Sequence, residues 1–378
     1  MVSISDQRPQ GSYISHFSNL VKAHGGINLA QGIPGYQPPA ALLDALQARL
    51  RDDVHQYAPG QGNRKLLELV AQRHALQPAN VLMVQGGTEG LSLVYTYIAQ
   101  RMEADMAVMA IEPAYEVHSN LPRIYGHRYV AFSPSADGSL NLDLLAHTVA
   151  EQRVRLLFVA SPGNPYGRAL SKNEVEQLLQ LTQQLGFYLV FDAAYHELYF
   201  AANSPYLPTD SLTERLFVVG SFSKSLCITG WRVGYVLHHA SHGDALRAVH
   251  DYVGLCASSV MQCALADYLP QADAAHFVAT MRQKLSRTHT AMASALQRLG
   301  FVVPPADGGC FVWAQLPQRI AADGFGLAIE LYRQQQVAIV PGEHFGAAHK
   351  QWVRFNIARP ASEVDEAIRR LNLFMQQF

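Results

Sequence analysis

Between residues 80 and 238 the chain repeats one pattern. A short run rich in Val, Leu and Phe ends in a polar or Gly-containing turn, which usually leads into a helical stretch. The runs are NVLMVQ (80–85), MAVMAIE (106–112), HRYVAF (127–132), RLLFVA (155–160), FYLVFD (187–192), RLFVVG (215–220) and RVGYVLH (232–238). Short apolar runs alternating with helices predict an α/β protein with a mostly parallel sheet of seven strands between helical layers. One of the connecting segments, SKNEVEQLLQLTQQLG, opens on Ser171 with Glu174 three residues on and closes on Gly186. That is a helix with a capping box at its start and glycine at its end.

Residues 271–299 contain neither Gly nor Pro, and a helix of that length would run about 44 Å at ~1.5 Å per residue. Such a helix can carry the chain out of the sheet. Beyond it, GCFVWAQL, VAIV and WVRFNIA read as strands and SEVDEAIRRLNLFMQQF as an amphipathic helix, together a smaller α+β domain. The expected division is a large domain over 41–280 and a small one made of 1–40 with 281–378, because the first forty residues are too irregular to fold alone. No repeat or low-complexity segment interrupts this.

Composition narrows the partners. Apolar residues make up 49% of the 378 residues and charged residues 16%, against about 25% charged in an ordinary soluble domain, which points to extensive burial and a subunit interface. Thirty acidic against twenty-nine basic residues leave a net charge of −1. No basic field exists to draw in nucleic acid or an anionic membrane, so the expected partner is a small molecule. Cys227, Cys256, Cys263 and Cys310 lack C-x-x-C spacing and read as reduced core cysteines of an intracellular protein. The opening MVSISDQRPQGSYISHF has no apolar signal region, and no run approaches the length of a membrane span. The expectation is a cytoplasmic protein.

Ligands bind at the carboxyl ends of parallel strands, and these ends carry the reactive residues. NVLMVQ runs into GGTEG and then a helical stretch, where Gly86 and Gly87 let the backbone approach an anion at a helix N-terminus; glycines also serve simple tight turns. FYLVFD ends in Asp192, a carboxylate that needs a partner, with Tyr195 three residues on. A protonated heterocyclic nitrogen would serve, as would a helix cap or a structural ion pair. RLLFVA is followed by SPGNPYG, where Asn164 precedes proline and is held extended. SFSKSLCITGWRVGY then supplies Ser221, Ser223, Lys224 and Arg232.

Lysine is scarce here, with six among the twenty-nine Lys and Arg residues. A free lysine is neutral only about once in 2,500 molecules at pH 7. A covalent role for Lys224 therefore needs apolar burial, which Phe222, Leu226 and Ile228 can supply, or a nearby cation such as Arg232. The string Ser221-Phe222-Ser223-Lys224 also satisfies the S-x-x-K acylation motif of some serine hydrolases, but the accompanying S-D-N and K-T-G strings are missing. HHASH (238–242) lacks a second ligand set with zinc-like spacing, so no metal is expected.

Taken together these motifs resemble the pyridoxal-phosphate-dependent aminotransferases of class I/II, the fold type I or aspartate aminotransferase superfamily, over nearly the whole chain. SFSKSLCITGWRVG matches the family's S-x-S-K and G-x-R-x-G signature. The resemblance implies that Lys224 joins pyridoxal 5′-phosphate in a Schiff base, with Ser221 and Arg232 on its phosphate. GGTEG implies phosphate contacts from Gly87 and Thr88. EPAY implies Tyr115 stacked on the ring, and NPYG implies Asn164 on the phenolic oxygen. DAAY implies Asp192 on the pyridine nitrogen and Tyr195 as a second phenolic contact. Outside the sheet, INLAQGIPGYQPP implies Gly32 near the substrate carboxylate. HQYAPGQGNRKL implies Tyr57 reaching the neighbouring subunit's phosphate in a homodimer with shared sites. VRFNIA implies Arg354, with Asn164, on the substrate α-carboxylate. From the residues alone, Arg354 alternates with Val353 and Phe355 and reads as a solvated arginine. Two departures, Ala193 within D-x-x-Y and Gly62-Asn63-Arg64 where relatives carry proline, touch no residue given a role.

The implied reaction moves an α-amino group to a 2-oxo acid, with the freed Lys224 as base at the substrate's Cα. YVGLCASS (252–259) has no arginine where dicarboxylate-specific relatives keep one. A neutral donor is therefore expected: aromatic, methionine-like or glutamine-like. A C–S β-lyase built on the same residues is the alternative, and an S-x-x-K hydrolase a remote one.

Overall fold

The computed structural model describes residues 7–103, 105–135, 137–210 and 212–378. Residues 1–6 of the N-terminal segment, assigned above to the smaller domain, lie outside the described residues. The strands are β1 (Ile27–Asn28), β2 (Val81–Val84), β3 (Ala107–Ile111), β4 (Arg128–Phe132), β5 (Val154–Ala160), β6 (Tyr188–Asp192), β7 (Leu216–Ser221), β8 (Gly234–His238), β9 (Phe311–Gln315), β10 (Val337–Ala338), β11 (Val340–Pro341) and β12 (Trp352–Asn356). All seven predicted runs became strands of one sheet, in the order β2-β8-β7-β6-β5-β3-β4.

Pairing within that sheet is parallel except for β8, which runs antiparallel to both β2 and β7. The reversal has a chemical consequence. The parallel strands all end at one edge, and β8 starts there, with Gly234 opposite both Val84 and Ser221. Residues just before β8 therefore arrive at the same rim as residues just after β2, β3, β5, β6 and β7.

Two apolar clusters flank the sheet. One includes Met83, Met109, Leu157, Leu189 and Val218, and the other Val84, Val108, Phe158, Val190 and Val219. Neighbouring residues of one strand fall in opposite clusters because successive side chains point to opposite faces. With both faces covered, the strands read as continuous apolar runs. The capped helix Lys172–Leu185 shows the reciprocal Ser171/Glu174 hydrogen bonds and a left-handed Gly186, as its sequence predicts.

The helix Ala272–Arg298 is 27 residues long and packs on β9 and on the terminal helix Ala361–Met375. A third cluster, which includes Phe17, Leu285, Phe311, Val353 and Leu371, forms the core around it. There β11, β12 and β9 make an antiparallel sheet, and β1 pairs in parallel with β10, tying the N-terminal segment to the C-terminal part. One expectation fails in this core. The four cysteines are free, but only Cys310 is buried while Cys227, Cys256 and Cys263 are half-buried. An apolar local sequence does not reveal which side of a helix or turn meets solvent.

Candidate active site

At the loaded edge of the sheet lies a cavity of about 230 Å³. The residues predicted to act together at the site all line it except Tyr57: Gly32, Gly87, Thr88, Tyr115, Asn164, Asp192, Tyr195, Ser221, Lys224, Arg232 and Arg354. Segments 192 residues apart meet here, where Lys224 Nζ donates to the carbonyl of Gly32 at 2.7 Å.

Lys224 sits a few residues past the end of β7, and its sequence neighbours Phe222, Leu226 and Ile228 are buried in the core on one face of the sheet. Burial, followed by the charges of Arg354 and Arg232, pulls its amine down to about 8 against the opposing influence of Cys310 and Asp192. The amine is thus far more often neutral near pH 7 than that of a free lysine. The rate at which cofactor-free protein captures an aldehyde cofactor on Lys224 is therefore expected to rise with pH through about 8 and then level off. Stopped-flow absorbance across pH 6–11 checks this, and a rise centred near the ordinary lysine value would contradict it.

One end of the cavity suits a dianion. The helix Gly87–Ala99 points its N-terminus into it, with the unbonded N–H groups and partial positive charge of a helix start. Arg232 faces this terminus from the strand β8 side. Its Nη1 donates to the carbonyl of Thr229 at 3.0 Å, and it makes no ion pair among the described residues. The two groups are in close contact: Gly86 has φ +83°, and a Cβ there would lie 2.8 Å from Arg232 Nη2. Gly234 is equally confined, since its Cβ would lie 2.7 Å from the Gly220 carbonyl oxygen and 3.0 Å from Gly86 Cα. A helix N-terminus and an arginine facing each other across glycines with no room for a Cβ fit a phosphate. Replacing Gly86 by alanine is expected to weaken cofactor binding at least about tenfold, since backbone strain and a displaced Arg232 together cost more than ~1.4 kcal/mol. Cofactor titration followed by absorbance measures it.

At the other end of the cavity floor, Asp192 Oδ1 accepts from the backbone N–H of Ala194 at 3.0 Å, and Oδ2 lies 3.3 Å from Nε2 of His118. His118 is fully buried and stacks on Phe158, with centroids 4.8 Å apart and planes 4° apart. This histidine was absent from the predicted site. Its signal was its place three residues after Tyr115, one turn into a helix whose apolar Leu121 and Pro122 share its buried face. Tyr115 approaches Thr88, hydroxyl to hydroxyl, at 3.5 Å. The Tyr195 ring lies 5.9 Å from Lys224 Nζ, and burial raises its phenol well above the ordinary value.

Arg354 is not a solvated arginine. It is 0% exposed, because β12 is covered on both faces, by the third core on one side and by the cavity wall on the other. Nη1 donates to Asn164 Oδ1 at 2.8 Å, Nη2 donates to the Ala30 carbonyl, and Nε has no partner. Its guanidinium lies over Phe311 at 4.1 Å and Phe345 at 4.9 Å. Burial brings it down to about 10, still charged at neutral pH. Glu116 lines the same end. Its Oε1 accepts from Ser12 Oγ at 3.1 Å and its Oε2 lies 3.1 Å from His344 Nε2. Burial pushes this carboxyl up, but His344, Ser12 and Arg354 more than offset it and leave it below its ordinary value.

Tyr57 stands apart. It is 82% exposed and lines a separate surface depression with Cys256, Gly254 and Leu255. Among the described residues no three His, Cys, Asp or Glu side chains gather to hold a metal. Among the same residues no helix is long and apolar enough to cross a membrane.

An amine more easily neutralised than an ordinary lysine, a phosphate cradle, a buried carboxylate and a buried arginine around one cavity suit an enzyme that works on amines through a phosphorylated pyridine aldehyde. The sequence places it more narrowly. The chain belongs to the aminotransferase class I and II family, whose model matches residues 24–371. It is a pyridoxal-phosphate-dependent aminotransferase. Among its relatives is a probable N-succinyldiaminopimelate aminotransferase of Mycobacterium tuberculosis, 28% identical over 100% of this chain and 99% of the relative. Another is a methionine aminotransferase of Escherichia coli, 26% identical over 94% of each. The solved structure of N-succinyldiaminopimelate aminotransferase from M. tuberculosis superposes with a TM-score of 0.87 at 28% identity, covering 98% of this chain and 100% of that one.

Proposed function

We propose that this enzyme takes the α-amino group from a neutral amino acid with an aromatic, methionine-like or glutamine-like side chain and passes it to a 2-oxo acid. The observation that carries this reading is the charge inventory of the cavity. Its cations are Lys224, Arg232 and Arg354, and each already has a use, leaving none for a second carboxylate. A donor panel read by single-turnover absorbance tests it. Strong preference for aspartate over methionine, glutamine and phenylalanine would overturn it.

In this reading Arg232, Ser221 and the N–H groups of Gly87 and Thr88 hold the phosphate. Tyr115 stacks on the ring, while Asn164 and Tyr195 bond its phenolic oxygen. Asp192, oriented by His118, keeps the ring nitrogen protonated. The bound cofactor supplies the electron sink for the substrate's Cα. Arg354 grips the α-carboxylate with two of its three remaining N–H donors, near Gly32 and beside the Asn164 that it anchors. Lys224, hydrogen-bonded to the Gly32 carbonyl and acting in its neutral form, then takes the Cα proton.

We also read residues 41–280 as the cofactor domain and 1–40 with 281–378 as the smaller one, a division supported by the pairing of β1 with β10. A homodimer belongs to the same proposal. Tyr57 at 82% exposure and Leu255 at 43% line one surface depression, exposed apolar surface of the kind that marks an interface, and Tyr57 would enter the partner's phosphate site. A fully active monomer in sedimentation would overturn it.

A further inference from the structure

We infer that Glu116 is a specificity-determining residue of the donor side-chain pocket: its carboxylate favours amino donors whose side chain ends in a hydrogen-bond donor, a carboxamide above all, and rejects those ending in a second carboxylate. The inference rests on the neutral-donor reading and narrows it.

Two carboxylates line the cavity, Asp192 and Glu116. Asp192 lies at the floor with His118, whereas Glu116 lies at the end that holds Arg354 and faces the N-terminal helix residues Ser12, Ile14 and Ser15. A donor whose α-carboxylate reaches Arg354 must place its side chain along this wall. Each carboxylate oxygen offers two acceptor positions. Ser12 takes one on Oε1, while His344 Nε2 lies 3.1 Å from Oε2 without being aligned to donate, so acceptor positions remain on both oxygens.

The Glu116 side chain is 22% exposed and lines the cavity. Held from two sides, the group is preorganised and can only accept. A carboxamide N–H or a hydroxyl gains a charge-assisted bond there, a thioether gains nothing, and a carboxylate meets a like charge in a partly dry pocket. The competing role is purely mechanical, with Glu116 latching the N-terminal helix over the cavity through Ser12. A latch would affect all donors alike.

The two roles separate in kcat/KM for glutamine, methionine and glutamate, measured on the dimeric holoenzyme with one 2-oxo acid. Glu116→Gln keeps the size and can donate to a carboxylate. It is expected to lower the glutamine-to-glutamate ratio by about 10- to 100-fold, the worth of one hydrogen bond to a charged group. Ser12→Ala loosens the latch but keeps the charge, and should leave that ratio near the wild-type value.

If Glu116→Gln scales all three donors by one factor, the selective role falls and the neutral-donor reading stands. If the wild type prefers glutamate, the neutral-donor reading falls whatever the variant does. Should Glu116→Gln fold poorly, Glu116→Asp withdraws the carboxylate and is expected to lower glutamine against methionine. An unchanged ratio there overturns the proposal.

Discussion

Lys224→Ala is expected to abolish transamination, lowering kcat by at least about 1,000-fold, the upper range for loss of a positioned base. The fold is not expected to suffer, since the change removes a buried amine whose burial already disfavours its charge. The purified variant should also lack the borohydride-fixable visible absorbance that a lysine-bound cofactor gives the wild type. Absorbance before and after borohydride, with activity on the same samples, checks both parts. A variant that keeps a reducible yellow species would remove Lys224 from the chemistry.

Arg354→Met should separate binding from stability. The arginine forms two hydrogen bonds, to Asn164 and Ala30, and in the proposed reaction it adds a two-pronged grip on the α-carboxylate. Two hydrogen bonds to a charge are worth about 3–6 kcal/mol, so kcat/KM should fall about 100- to 10,000-fold, mostly through KM. Stability should behave differently. An apolar side chain of similar volume avoids the desolvation cost of burying this charge, which offsets the loss of a donor to Asn164 Oδ1 and to the Ala30 carbonyl. The melting temperature of the cofactor-free variant should stay within about 4 °C of wild type. A collapse in melting temperature with little change in KM would make Arg354 a core residue rather than a substrate clamp.

Strand positions were legible because burial on both faces writes itself into a strand as a continuous apolar run, and the helix Lys172–Leu185 because its caps are local hydrogen bonds between residues three apart. Lys224 was legible through scarcity and spacing. Arg354 was not, from its neighbours alone. Alternation in β12 says which side of the strand Arg354 takes, but whether that side is water or a cavity wall depends on chain some 190 residues away. His118 was missed for the same reason: a histidine on the buried face of a helix looks like packing until Asp192, delivered by another strand, stands 3.3 Å from it. Glu116 is the strongest instance, since its partners Ser12 and His344 come from opposite ends of the chain.

The amino-acid sequence by itself determined the order of strands and helices, the helix-start glycines, the lysine that is the candidate for covalent chemistry and the family to which these belong. All are properties of residues and short spacings, set by backbone sterics and side-chain periodicity. Only the tertiary structure decided that antiparallel β8 carries Arg232 back to the rim where Gly86 leaves room for it. It also decided that Arg354 is dry, and that Glu116 lines the same cavity. Those depend on which distant surfaces exclude water from one another, and that is settled by packing, not by neighbours along the chain.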